Sequence, residues 1–236
     1  MSTDAPRFIA FDGPDGSGKS TQVAMLADYL RQTREVATFD HPDKVGLGAE
    51  LRRMKFTEKL KFSIAAELLL HAADFAEMAI TRLGPALASG ATVLCHRWWS
   101  SALVYQGYVD GCPARAVEQA YATTLQILAH DTTEFVLPAT RPDVLILLNV
   151  SPKIAMGRLR KRAELETFRY ENEEKVERAC GAFKTVGAHH VKAVCNDHEK
   201  LVPTTGLLAK NVLILNTDND HPEETHAKIR SALGLA

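Results

Sequence analysis

The chain has 236 residues, of which 46% are hydrophobic and 24% charged, and a formal net charge of −1 from 28 basic and 29 acidic side chains. Such a length predicts a single domain over 1–236 with enough apolar material for a full core. The near-neutral balance excludes a broad nucleic-acid or membrane face, which needs clustered positive charge.

The N-terminus MSTDAPRF lacks a basic segment leading into an apolar stretch, so no secretory leader is predicted. The longest apolar runs, Val144 to Leu148 and Val212 to Leu215, are too short for a bilayer, and a cytoplasmic protein is expected. Cys95, Cys112, Cys180 and Cys195 are scattered without CxxC spacing, which predicts reduced thiols rather than a zinc site or a disulfide framework. His189-His190, the densest of the histidines, has no further ligand at metal-binding spacing.

In chain order, Arg7 to Asp12 reads as a strand entering a Gly-rich turn, and Lys19 to about Arg31 as an amphipathic helix. Val36 to Asp40 is the second strand. Helices follow over about Leu47 to Met54 and Ser63 to Ala88, the latter with a break expected at Gly84-Pro85. Thr92 to Cys95 is the third strand, Pro113 to His130 a helix, and Asp143 to Val150 the fourth strand. Ser151-Pro152 starts another helix by the serine N-cap and proline first-turn preferences. Val212 to Asn216 and Pro222 to Leu233 are the last strand and helix. Strands alternating with helices, without hairpin signals, predict a parallel five-stranded sheet covered on both faces. A charged lid is expected at about 157–178 and a polar insertion at about 186–210.

The decisive motif is Gly13-Pro14-Asp15-Gly16-Ser17-Gly18-Lys19-Ser20, a full match to GxxxxGK[ST] between a strand and a helix. Its glycines permit close backbone approach, and its amides with the helix N-terminus face a triphosphate. Gly13, Gly16, Ser17, Gly18, Lys19, Ser20 and Thr21 are thus the candidate ATP-binding residues, with Lys19 on the β- and γ-phosphates and the Ser20 hydroxyl on Mg²⁺. A guanine-reading NKxD is missing, and the third strand ends Leu94-Cys95-His96-Arg97 rather than in the acid of a motor ATPase. Arg52, Arg97, Arg158, Arg160, Arg162 and Arg169 supply the guanidinium groups a kinase of small phosphorylated acceptors needs.

Beyond the P-loop the sequence resembles thymidylate kinases. The likeness runs through Phe8 to Gln22, His41-Pro42 with Gly46-Leu47-Gly48 and Arg52, Ala66 to Ala76, His96-Arg97 to Tyr105-Gln106-Gly107, Arg141-Pro142-Asp143, and Arg158 to Arg162. The resemblance implies a three-layer α/β P-loop NTPase fold with a lid, ATP and Mg²⁺ as cofactors, a nucleoside monophosphate acceptor and a homodimer. It implies that Arg97 and Arg52 hold the acceptor phosphate, that Asp15 serves the sugar side, and that His71, Phe75, Ala102, Tyr105 and Gln106 line the sugar and base pocket. Lys19, Arg97, Asp15 and a lid arginine, Arg162 ahead of Arg158 and Arg169, are the implied catalytic groups. Adenine is expected near Asn216-Thr217-Asp218.

The departures cluster where that family reads thymine. Phe75 stands in place of a base-binding arginine, His71 of a stacking aromatic, and Ala102 of a polar residue. His96 replaces the acid of the family's Asp-Arg pair, and Asp40-His41 its Arg-Glu. An altered or loosened base choice follows as the expectation, since buried polar readers reject a wrong substrate strongly. A kinase of a modified base within DNA, and a non-catalytic nucleotide-binding regulator, are the alternatives.

Overall fold

The segment Phe8–Asp12 is apolar on both faces, and in the computed structural model it forms the fully buried strand β1 at the centre of a sheet. The structure describes residues 6–131, 141–163, 173–190, 202–203 and 208–235. Beside β1 run β2 (Val36–Asp40), β3 (Thr92–His96), β4 (Val144–Asn149), β5 (Val202–Pro203) and β6 (Asn211–Asn216), in the order β2-β3-β1-β4-β6-β5. The five longer strands are parallel, as expected, with Phe8 beside Val93 and Ile9 beside Val144. β5, a two-residue strand antiparallel to β6 at the edge, is not among the expected elements. Its Pro203, unable to donate to a ladder, sits where an edge tolerates it.

The helices are α1 (Lys19–Leu30), α2 (Gly46–Arg52), α3 (Ile64–Met78), α4 (Gly84–Ala88), α5 (Ser100–Ala102), α6 (Ala114–Asp131), α7 (Pro152–Ala163), α8 (Glu173–His190) and α9 (Pro222–Ala232). Side chains alternate across the sheet as the pleat requires. Ile9 and Phe11 face a layer with Leu26 and Leu30 of α1 and Ile229 of α9. Phe8 and Ala10 face the other layer, with Phe75 of α3, Tyr121 of α6 and Phe183 of α8. Trp98 and Trp99 belong to that second layer, buried in the core. Among the described residues no helix is long and apolar enough to cross a membrane.

One expectation needs correction. The helix over 63–88 is not cut at Gly84-Pro85: a π-helical turn at Ala79–Leu83 joins α3 to α4, and this widening accommodates a proline that lacks an N–H to give. Residues 100–109, to which the sequence assigns no element, are helical, as α5 followed by a π-helical stretch Leu103–Val109. Residues 173–178, at the edge of the expected lid, are the first turns of α8, which buries Val176, Ala179, Cys180, Phe183 and Val186. The middle of the expected lid, 164–172, and most of the expected insertion lie outside the described residues.

Candidate active site

β1 ends at Asp12 and the chain turns through the P-loop into α1 with Gly13, Gly16 and Gly18 all at positive φ. A Cβ on Gly13 would lie 2.2 Å from the Leu148 carbonyl oxygen, and one on Gly16 2.7 Å from that of Ala155. On Gly18 it would meet nothing, so this glycine borders open space at the helix N-terminus. Lys19 is buried and donates to the Gly13 and Pro14 carbonyls at 2.8 and 2.9 Å, with Asp15 Oδ1 at 3.7 Å. The Ser17 hydroxyl is buried without a partner, while Ser20 is exposed. These donors and this open face suit a triphosphate.

A cavity of about 340 Å³ adjoins the loop, lined by Gly18, Thr21, Gln22, Arg158, Thr217 and Thr225 among others. Thr217 lies in the segment expected to receive adenine. Arg158 donates to Gly16 O at 3.1 Å and Thr217 O at 2.6 Å, so it ties α7 to both walls of this cavity. Arg162 lies in α7 with its side chain outside the described residues, as is all of Arg169. Gln22 is a wall that spacing alone did not single out; its Nε2 donates to Pro222 O at 2.8 Å.

On the other side of the loop stands Arg97, the residue after β3, at a φ of 72°. A non-glycine residue adopts that conformation only where its surroundings enforce it. Here the Arg97 N–H donates to Phe11 O at 2.8 Å. The guanidinium then ion-pairs with Asp15, donates to Ser101 Oγ at 3.2 Å and lies 5.2 Å over the Tyr105 ring. Burial would lower its pKa, but Asp15 and Tyr105 outweigh that and raise it, so the group stays a cation. Tyr105 donates to Asp15 Oδ2 at 3.4 Å. Asp15, Arg97 and Tyr105 therefore form one cluster beside the cradle.

Arg52 donates to the carbonyls of Pro42 and Asp43. Burial first, and repulsion from Arg97 among the charges around it, lower its pKa. Gln106 donates to Glu67 Oε1 at 2.9 Å; Lys55 pairs with the same oxygen, and His71 Nε2 stands 3.7 Å away. The His71 ring and then, against the effect of burial, Lys55 hold Glu67 at a pKa of about 2, so it is ionised at neutral pH. Glu67 and Lys55 are members of the site that the sequence reading missed, because their pairing is made between elements and leaves no local spacing.

Phe75 does not line this cluster. It is fully buried, with ring centroids 5.1 Å from Trp98 and 5.6 Å from Tyr121, and Ala102 is also buried in the core. Behind it His41 links Asp74 Oδ2 and the Tyr121 hydroxyl, each at 3.2 Å. Asp12 is equally enclosed, accepting from Gly13 N at 2.9 Å, Ser101 Oγ at 2.6 Å and the Ser100 hydroxyl. His96 reaches Ser20 Oγ with Nε2 at 3.1 Å and Asp40 Oδ1 with Nδ1 at 3.0 Å. Burial lowers the His96 pKa against the opposing pull of Asp40, leaving a neutral ring.

A parallel sheet with a P-loop at its first strand, a cavity on one side of that loop and the part-buried Arg97 on the other has the architecture of P-loop nucleotide-binding proteins. The thymidylate kinase family model matches residues 11–202. A thymidylate kinase of Caldicellulosiruptor saccharolyticus is 31% identical over 80% of this chain and 86% of its own length, and one of a Synechococcus species is 35% identical over 72% and 76%. The crystal structure of thymidylate kinase from Ehrlichia chaffeensis superposes with a TM-score of 0.66 at 20% identity, covering 98% of this chain and all of that one, which establishes the fold. The chain belongs to the thymidylate kinase family, and as a member it is an ATP-dependent nucleoside monophosphate kinase.

Proposed function

We propose that this enzyme transfers the γ-phosphoryl group of ATP to a (deoxy)nucleoside monophosphate that is not bound to be dTMP, with Arg97 and Arg52 on the acceptor phosphate. The observation that carries the reading is Arg97, a strained and buried cation held between Asp15 and Tyr105 at the edge of the P-loop. An acceptor phosphate takes over part of the pairing that Asp15 supplies, and Asp15 and Tyr105 are then placed for the sugar. Gln106, Glu67 and His71 stand at the base end.

The proposed chemistry is in-line transfer without a covalent intermediate, so catalysis rests on positioning and charge neutralisation. Lys19 exchanges its bonds to the Gly13 and Pro14 carbonyls for phosphate oxygens. Mg²⁺ held by Ser20 and the phosphates would supply further neutralisation of the developing charge; an exposed hydroxyl beside a glycine cradle fits a cation that takes most of its ligands from phosphate and water. Arg97 orients the acceptor oxygen, and a lid arginine from the α7 region completes the charge. A homodimer is part of the same reading, supported by the exposed Leu69 and Ile127 on the packed helices α3 and α6.

The altered base choice is supported by Phe75 and Ala102. An apolar, buried pair offers no donor or acceptor to a pyrimidine edge, so discrimination falls to Gln106 and Glu67. Measuring kcat/KM for the common ribo- and deoxyribonucleoside monophosphates and a few modified ones tests it. Comparable values for dTMP and at least one other base are expected; dTMP better than every other by a hundredfold or more would refute the altered choice.

A further inference from the structure

In a GK[ST] loop the final hydroxyl turns an oxygen lone pair to the metal of a bound metal–nucleotide, so its proton must be accepted elsewhere. In this chain that acceptor is a histidine. Asp40 and His96 are register partners on the neighbouring parallel strands β2 and β3. Pairing there sets their side chains side by side, with His96 Nδ1 3.0 Å from Asp40 Oδ1. The other Asp40 oxygen lies 2.7 Å from Lys44 Nζ. At this distance the carboxylate lies off the line of a good Nδ1 hydrogen bond, but its negative charge favours the proton on that nitrogen over Nε2, which is left as an acceptor. Nε2 is 3.1 Å from Ser20 Oγ, at the second residue of α1.

We propose that Asp40 and His96 form a positioning relay for Ser20, in which Asp40 sets the His96 tautomer, His96 Nε2 takes the Ser20 proton as a hydrogen bond, and the Ser20 lone pairs are aimed at the metal site. No proton is transferred and no bond is broken: the relay is an orientation device. The proposal rests on the P-loop reading above, and it assigns His96 a task that an acid at the end of β3 would otherwise perform. Both members are positioning residues, since neither needs to touch the nucleotide.

The test is the affinity of Mn²⁺ for the enzyme complex with a non-hydrolysable ATP analogue, read by electron paramagnetic resonance. Metal-free binding of the analogue in EDTA serves as the control for folding and for the phosphate cradle. His96→Leu weakens Mn²⁺ by roughly three- to tenfold, the size of one hydrogen bond, with metal-free analogue binding intact. His96→Gln, whose amide oxygen is able to accept the Ser20 proton, recovers most of that loss. Asp40→Leu weakens Mn²⁺ similarly, and Asp40→Leu combined with His96→Leu is no worse than His96→Leu alone, because the two act as a unit. Mn²⁺ affinity unchanged in His96→Leu, no rescue by His96→Gln, or fully additive losses in the double variant would each overturn the relay alone. A wild-type enzyme that binds neither the analogue nor its metal complex would overturn the P-loop reading and the relay with it.

Discussion

Gly16→Ala places one carbon where the P-loop meets the first turn of α7. The new Cβ would sit 2.7 Å from the Ala155 carbonyl oxygen and 2.9 Å from its Cα, both backbone atoms. Restoring an ordinary 3.4 Å contact therefore moves the loop or the helix by about 0.7 Å. The φ of 83° adds the left-handed cost for a side chain, about 1–2 kcal/mol. For a chain of this size that alone lowers Tm by about 2–8 °C. A displacement approaching 1 Å in a phosphate cradle costs about 100-fold in turnover, since transfer depends on near-attack geometry. Gly18→Ala separates the two causes: its φ of 93° is equally demanding, but nothing in the protein lies within 4 Å of the added carbon. Differential scanning calorimetry of the nucleotide-free proteins should show Gly16→Ala losing more stability than Gly18→Ala, and ADP-release kinetics should show the drop for Gly16→Ala. A Gly16→Ala enzyme with wild-type Tm and turnover would refute the close-approach argument.

Lys19→Ala should leave no more than a few per cent of phosphoryl transfer in a coupled ADP assay, since the only ammonium described in the loop is removed. Arg97→Lys keeps the charge but not the fork that spans Asp15, Ser101 and the Tyr105 ring; KM for the acceptor should rise about ten- to hundredfold while KM for ATP stays near its wild-type value, which initial-rate kinetics resolves. Glu67, held at about 2 against an ordinary 4.5, contributes stability that is complete above about pH 4.5 and is lost as pH falls towards 2. Glu67→Gln should flatten that part of the pH dependence of the urea midpoint, and an unchanged slope would contradict the pairing with His71 and Lys55.

Much of the donor half was legible because its signals are contiguous. A P-loop is one octapeptide between a strand and a helix, and the five long strands are short apolar runs that only a doubly covered parallel sheet buries. α8 was legible in principle: Val176, Ala179, Cys180, Phe183 and Val186 repeat at helical spacing, though among so many charges that the segment reads as a lid. The acceptor half was only partly legible. Arg97 and Tyr105 could be nominated by residue type, but the left-handed backbone that aims Arg97 at Asp15 is a tertiary product. Phe75 shows the converse. Its position in the sequence suggests a pocket residue, while packing against Trp98, Tyr121 and His41 makes it core, because no polar partner holds a phenyl ring at an open surface.

In the proposed reading the Arg97 cluster receives a nucleoside monophosphate beside the P-loop. Its most direct test is ADP production by the purified enzyme with ATP and Mg²⁺, screened against each nucleoside monophosphate in turn. ADP release should depend on at least one monophosphate and disappear in Lys19→Ala. ATP bound by the wild-type enzyme, with no monophosphate in the screen raising ADP release above the ATP-only rate, would contradict it.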